Sequence, residues 1–434
     1  MTRDGAAEAV ASGQISELFP PSAVGDADGR LSVAGCDLIE LAQRFGTPAY
    51  IVDEQALTDR AHEYRTTLAA AWSGPTDVMF ASKSFPCTPV YRTFAAAGIG
   101  CDVASCGELA MALRGGFDPS RILVHGNAKS AEDVRTALDV GVRWVVIDNL
   151  CDIDRLEQFA AQRQGVLLRV IPGIDAPTHD AISTGGHDSK FGLSLAEAEV
   201  AIARLRRSTY LRLDGIHVHI GSQILETPPF AAAVNAVSTL GEFEVYDLGG
   251  GLGARYTYDE HPPSVADYIG ELTRAASTSL PTGSTVLVEP GRSLVARAGC
   301  TIYEVQTIKR PASPEGHTLV GVNGGMGDNL EVSLYGTRFE ATMAARSLGA
   351  GTVGERCRLV GHHCESGDCL IDSVRLDSPE VGDIVAMPTT GAYCYTMANN
   401  YNASRRPPVV FVRDGDARVV VRRETIDDLM ARDV

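Results

Sequence analysis

The chain has 434 residues, a formal net charge of −17 and a hydrophobic fraction of 44%. At roughly 150 residues per domain this length suits about two to three domains, or fewer if one is an α/β barrel of about 250 residues. The acidic balance argues against nucleic acid or an anionic membrane as partner, and no apolar run approaches the ~18 residues that a membrane helix needs.

The first residues, MTRDGAAEAVASGQISELF, carry acids and lack an apolar signal core, so the chain reads as cytoplasmic with a loose leader over residues 1–30. Ten scattered cysteines without a CxxC pair read as reduced thiols and give no structural zinc site. Only four lysines occur, at 83, 129, 190 and 309, in a chain that otherwise uses arginine for positive charge. A retained lysine is a candidate for amine chemistry, because a guanidinium cannot form a Schiff base.

After a segment at 31–48 expected to join a β domain, short apolar runs alternate with Ala/Leu-rich helical stretches from about residue 49 to 297. The runs are AYIVD (49–53), VMFAS (78–82), GCDVA (100–104), RILVHG (121–126), WVVID (144–148), VLLRVI (166–171), GIHVHI (215–220), VYDLG (245–249) and TVLVEP (285–290). Strands alternating with helices predict a parallel sheet, here a (β/α)8 barrel with one candidate strand too many, so that the first or one of the weaker runs is expected to belong elsewhere; a doubly wound sheet is the alternative. Polar residues and glycines follow the strand ends, where a barrel gathers its active site. Residues 172–192 read as a polar, mobile loop near that mouth. From 298 to 434 strand-like runs separated by turns predict a mostly antiparallel β domain.

Several constellations carry chemistry. Lys83 follows a hydrophobic strand in VMFASKSF, where partial desolvation can make an amine nucleophilic; a solvated lysine at a loop start fits the same pattern. The glycines of VYDLGGGLG allow backbone N–H groups to face a phosphate, or form a plain tight turn. VLVEPGR places Glu289 at a strand end and Arg292 three residues on, suited to a pyridine nitrogen and to a phosphate or carboxylate. His217 and His219 form an HxH pair without a third ligand at a diagnostic spacing, so no metal is expected. HHCESGDC (362–369) packs thiol, carboxylate and hydroxyl into one loop.

Together the segments FASKSF, CDVASCGELAMAL, ILVHGNAKS, HVHIGSQI, DLGGGLG, VEPGRS, GGMGDN, SLYG, CESGD and GAYCY with NNYN resemble the fold-type III pyridoxal-phosphate decarboxylases. Within them the chain is most similar to the actinobacterial diaminopimelate decarboxylases, from about Leu31 to the end. The resemblance implies the alanine racemase/ornithine decarboxylase-like architecture, a TIM-like barrel plus a C-terminal β domain. It implies pyridoxal 5'-phosphate held covalently on Lys83, with Glu289 at the ring nitrogen and His219 stacked on the ring. Ser222, Gly249, Gly250, Gly251, Gly291, Arg292 and Tyr393 would bind the phosphate or lie beside it, and Asp102 and Glu108 would support the lysine. Cys364 would return a proton after CO2 leaves. Arg292, Glu331, Tyr335, Glu365 and Tyr393 would meet the substrate. Cys364 and Glu365 would reach across a homodimer, giving shared sites.

One departure bears on specificity. The family carries an arginine four residues before the tyrosine of LYG, and here that position is Glu331. An acid there opposes a substrate's distal carboxylate, and Arg338 is a possible substitute. Asn323 stands where the family has aspartate. The resemblance therefore implies decarboxylation of meso-diaminopimelate to L-lysine, with a paralogous decarboxylase for ornithine, lysine or a specialised-metabolite precursor as the alternative. A non-catalytic regulatory homologue is disfavoured by the presence of Lys83, Glu289 and Cys364.

Overall fold

The computed structural model describes residues 17–174, 189–313, 316–346 and 354–434. Residues 1–16 of the expected leader and 175–188 of the expected loop lie outside them. The chain divides into two compact units, one comprising Thr58–Gly253 and Pro262–Leu294, the other Met1–Leu57, Ala254–His261 and Val295–Val434.

The first of these is a closed barrel of eight parallel strands: β1 Thr76–Ala81, β2 Gly100–Val103, β3 Ile122–Val124, β4 Trp144–Ile147, β5 Gln164–Val170, β6 Leu211–Val218, β7 Val245–Asp247 and β8 Thr285–Val288. Each strand pairs with its neighbour in sequence, and β8 closes on β1 through Leu287 beside Asp77. Met79, Leu123, Trp144, Val146, Leu167, Val245 and Leu287, drawn from six strands, fill the interior. That packing makes the barrel a solid core whose polar chemistry is confined to one end. The connecting helices start at defined points because serine caps fix them: Ser130, Ser194 and Ser264 each form a capping box with an acid three residues on.

The second unit is a mostly antiparallel sheet. Its strands run in the order Cys369–Leu376, Glu355–Val360, Thr318–Val322, Gly299–Lys309, Ala49–Asp53, Val409–Arg413, Asp416–Val421, with Ile384–Pro388 also paired to Gly299–Lys309. The run at 49–53, counted above with the barrel range 49–297, thus belongs to this sheet, antiparallel to Gly299–Ile302 and parallel to Val409–Val412. All five of its residues are buried, and a strand covered on both faces reads as the same apolar run in either setting. The tail of the expected leader is also ordered differently: Leu18 and Phe19 are buried, and Val24–Gly25 pairs with Leu31–Val33. Segment 31–48 lies in this unit, where Leu38 and Leu41 pack with Ile51, Ile302 and Val410. All ten cysteines are free thiols. Among the described residues no helix is long and apolar enough to cross a membrane.

Candidate active site

Every strand of the barrel delivers a polar residue at or just beyond its C-terminal end: Lys83 after β1, Asp102 in β2, His125 after β3, Asp148 after β4, Arg169 in β5, His217 in β6 with His219 just beyond, Asp247 in β7 and Glu289 after β8. Parallel strands of one barrel point the same way, so residues up to two hundred positions apart meet at one mouth.

Glu289 is the electrostatic centre. One carboxylate oxygen lies 2.7 Å from His125 Nε2 and the other 3.0 Å from His217 Nε2. The two imidazoles meet edge to face at 4.6 Å, and His125 lies 3.8 Å from Asp102. Burial pushes the Glu289 carboxyl up, but the two histidines outweigh it and hold the group well below the usual range. Asp247 goes the other way: burial, then the nearby Glu289, hold its carboxyl well above normal, since two adjacent buried carboxylates do not both ionise. Asp102 is raised to about 7, chiefly by burial. His217 is lowered to about 4, burial outweighing Glu289. The centre is therefore one buried carboxylate anion flanked by groups biased towards neutrality. His125, His217 and Glu289 place ligand atoms within 4.8 Å of one another. Both nitrogens, however, lie against the carboxylate oxygens themselves, so the three groups satisfy one another rather than surround a common centre.

Above this centre His219 is half-buried and accepts the Gly250 N–H at Nδ1, 3.2 Å. Burial, then Lys83 and Arg169, drive its basicity well below normal, which leaves a neutral flat ring. The glycines are required by space. A side chain on Gly250 would place its Cβ 2.1 Å from the Glu289 carbonyl oxygen, and one on Gly249, at φ +67°, would meet the Val218 carbonyl at 2.3 Å. Arg292, nearly buried, donates from Nε to Ser222 Oγ at 3.2 Å, and Gly291 packs against Ala81. Lys83 is exposed in a one-turn helix, Ser82–Ser84. By contrast Lys129 is buried and tied to Asp152 at 2.8 Å and to the Gly126 carbonyl at 2.6 Å. Glu108 accepts the Ala104 N–H at 2.7 Å at the start of its helix.

The remaining expected residues stand in the β unit. Cys364 and Glu365 are exposed. The Cys364 N–H donates to Asn402 Oδ1 at 2.8 Å, and Tyr401 Oη donates to Glu365 at 3.4 Å. Behind them the buried Asp368 accepts from Met326 N at 2.7 Å and meets His363 Nδ1 at 2.7 Å. Tyr393 sits at φ +61° ahead of a short helix. Glu331, the first residue of the helix Glu331–Tyr335, is fully buried, and Tyr335 is half-buried. Arg338, the candidate substitute for the missing arginine, is engaged within its own unit. It is exposed and turned to Asp259 at 3.0 Å, Thr257 at 3.3 Å and Glu260 at 3.7 Å, a local acidic cluster that captures the guanidinium.

Residues not singled out from sequence are His125, Asp148, Arg169 and Asp247. Arg169 lies 3.6 Å from Asp148 and over the Phe191 ring at 4.4 Å, while Asp148 also accepts the Gly192 N–H at 3.0 Å. Their common signal was positional: each is the polar residue at or near the end of an apolar strand run.

This chain matches the family described as pyridoxal-dependent decarboxylase, pyridoxal binding domain, over residues 54–296. It is 39% identical to the diaminopimelate decarboxylase of Mycobacterium bovis over 443 aligned residues, covering 96% of this chain and 98% of that protein. The chain belongs to the diaminopimelate decarboxylase family. The family member from Actinosynnema pretiosum is 41% identical, covering 94% of this chain and 93% of that protein. Among solved structures, diaminopimelate decarboxylase from M. jannaschi superposes with a TM-score of 0.87 at 30% identity, covering 95% of this chain and 98% of that one. As a pyridoxal-dependent decarboxylase the chain uses pyridoxal 5'-phosphate. The barrel mouth offers what that group requires: an amine at the rim, a buried carboxylate with flanking histidines, and a side-chain-free glycine turn next to Ser222 and Arg292.

Proposed function

We propose that this protein decarboxylates meso-diaminopimelate to L-lysine and CO2, acting in the cytoplasm as a homodimer with shared sites. The observation that carries the reading is the pairing of an exposed rim lysine with a buried, histidine-held Glu289 in one barrel mouth. When bound, pyridoxal phosphate supplies the electron sink that allows the bond between Cα and the carboxyl group to break. The chain's own residues have separable tasks. Lys83 would hold the cofactor through its rim amine. Glu289 keeps a proton on the ring nitrogen, its charge maintained by His125 and His217. His219, neutral and anchored by Gly250, gives the ring a flat face. Gly249, Gly250, Gly251, Gly291, Ser222, Arg292 and Tyr393 receive the phosphate, with Asp102 set beside the lysine. Cys364 Sγ delivers a proton to the carbon that has lost CO2, and Glu365 meets the distal amine. Arg292, Tyr335 and Tyr393 complete the substrate's surroundings, in a site to which the second copy contributes Cys364 and Glu365.

A second reading has its own observation. Glu331 is buried where the resemblance puts a carboxylate-binding arginine, and Arg338 is committed to Asp259. That arrangement favours a paralogous decarboxylase for a diamino acid without a distal carboxylate, such as ornithine or lysine. A CO2-release assay over diaminopimelate isomers, lysine, ornithine and arginine decides. Fastest turnover of the meso isomer upholds the first reading, and a monocarboxylate substrate replaces it with the second. No release from any amino acid, by protein shown to carry the cofactor, overturns both.

A further inference from the structure

The β unit contains a cavity of about 340 Å³ that none of the proposed catalytic steps uses. Its walls include Arg405, Arg423, His362, His363, Asn323 and Asp328. Cationic side chains in this unit are usually paired: Arg346 with Asp383, Arg406 with Glu424, Arg418 with Glu54 and Arg422 with Asp428. Arg405 and Arg423, which both line the cavity, are not among these pairs. Among the described residues neither has a carboxylate within ion-pair distance, and Arg423 donates only to the Pro48 carbonyl, at 2.8 Å. Burial first, and then Arg405 itself, disfavour the charged form of Arg423, so two guanidiniums face one space and repel.

The lining compensates them only in part, through the attraction of Asp328 for Arg423. Asp328 is the one carboxylate among the lining residues. Its oxygens accept from Tyr303 Oη at 2.5 Å and Gly325 N at 2.8 Å, and burial raises it to about 7. Asn323 contributes a neutral amide already donating to Thr47 Oγ1 at 2.7 Å and accepting from Glu304 N at 3.0 Å. His363 is 7% exposed, its Nδ1 against Asp368, and its buried Nε2 has no hydrogen-bond partner. That nitrogen can accept from an acidic O–H of a ligand. His362 Nε2 meets Ser404 Oγ at 3.2 Å on the same wall. The exposed Arg405 and the half-buried Arg423 line one cavity with guanidinium donors of the kind that bind a phosphate or carboxylate.

We infer that this cavity is an oxyanion site that takes a small phosphate- or carboxylate-bearing molecule between Arg405 and Arg423. Because His362 and His363 run directly into Cys364 and Glu365, an occupant also steadies the loop that carries the thiol.

The test uses the cofactor-loaded protein, in which the glycine turn is already filled. Inorganic phosphate and succinate are titrated separately at constant ionic strength made up with chloride, reading the melting temperature and heat of binding. Saturable binding of either ligand is expected, weakened at least about tenfold by Arg405→Ala, since losing a charge-assisted contact costs about that much or more. Arg413→Ala, at a surface arginine elsewhere in the unit, should leave it unchanged. Phosphate alone, or succinate alone, would identify the class of ligand. Absence of saturable binding by both, or binding that survives both Arg405→Ala and Arg405→Glu, overturns the site. For the loop, the ligand should slow iodoacetamide labelling of Cys364, mapped by mass, several-fold in the parent and not in Arg405→Ala. Binding without that change overturns the link to the loop. Neither readout depends on turnover, so both stand apart from the substrate assignment.

Discussion

In the barrel, Asp102, His217, Asp247 and Glu289 are each at least nine-tenths buried and are held by strands that pair on both sides. In the β unit, Cys364 and Glu365 are exposed; the Cys364 N–H is held by Asn402, and Glu365 by Tyr401 and by backbone bonds with His363 and Asp368. The first arrangement is over-determined. Moving one group would strain the barrel or leave a buried charge unpaired, at a cost of several kcal/mol. The second rests on a few exposed hydrogen bonds, each worth about 1 kcal/mol net, and can shift at far lower cost. A cofactor that must stay fixed suits the first kind of support. A proton donor that must approach a substrate and withdraw suits the second.

The sharpest way to separate the two regions is to disable one in each chain. Lys83→Ala removes the rim amine that follows the first barrel strand and should lower turnover by about a thousandfold or more, as loss of a covalent catalyst does. Borohydride should fix the cofactor on Lys83 and not on Lys129, whose amine is already bound to Asp152. Cys364→Ala should be nearly inactive by itself. If the two regions meet across a dimer, mixing the two inactive chains should restore part of the activity, because some heterodimers hold one intact site. No recovery despite demonstrated subunit exchange would place both regions' work within one chain.

The same contrast explains what was legible in sequence. Barrel strands announced themselves through apolar runs ending in polar residues, because closure forces all C-terminal ends to one side. What stayed open was Ala49–Asp53, ranged with the barrel but buried on both faces in the sheet of the other unit, because periodicity carries no information on which sheet such a strand joins. His125 and Arg169 escaped notice because a single polar residue at the end of an apolar run is also what a solvent-facing strand end looks like. In the β unit, resemblance pointed to Cys364 and Glu365, but their supports, Asn402 and the His363–Asp368 pair, lie on loops whose contacts follow no period. The commitment of Arg338 to Asp259 depends on residues 79 positions away and was invisible for the same reason.

Glu331 tests whether specificity resides in the β unit. An acid opposing a substrate carboxylate costs about 2–5 kcal/mol in a partly buried site. Glu331→Arg should raise kcat/KM for diaminopimelate at least about tenfold and weaken any substrate with a cationic far end. Glu331→Gln should move both values in the same direction by less. An unchanged substrate profile in both variants would remove this residue from recognition.

The barrel's rigidity has a pH signature. His217 is held near 4 in the folded chain against about 6.5 when unfolded, so the unfolded state binds the extra proton in between. Its contribution to stability is present above about pH 6.5 and is lost as pH falls towards 4. Asp102, raised to about 7, has the opposite sign and weakens the fold as pH rises through that value. The comparison with His217→Gln isolates the first effect. In urea unfolding of the cofactor-free protein, the parent's advantage over the variant should shrink by about 2 kcal/mol between pH ~7 and pH ~5. A constant gap would mean that His217 binds its proton equally in the folded and unfolded states.

The smallest effect belongs to Asn402 and measures how loosely the Cys364 loop is held. Its side chain accepts the Cys364 N–H, and its backbone sits at φ +52°, a conformation that asparagine tolerates and alanine resists. Three substitutions separate these contributions. Asn402→Asp keeps an acceptor and tolerates the backbone, so kcat should stay within about twofold. Asn402→Gly keeps the backbone but loses the acceptor, which costs about 1 kcal/mol and about fivefold in positioning. Asn402→Ala loses both and should approach about tenfold or somewhat more. The drop should appear in kcat and in the labelling rate of Cys364, with cofactor absorbance unchanged, because the barrel is untouched. Equal behaviour of Gly and Ala would assign the whole effect to the hydrogen bond, and loss of cofactor in any of the three would show that the loop and the barrel are coupled more tightly than their separate supports imply.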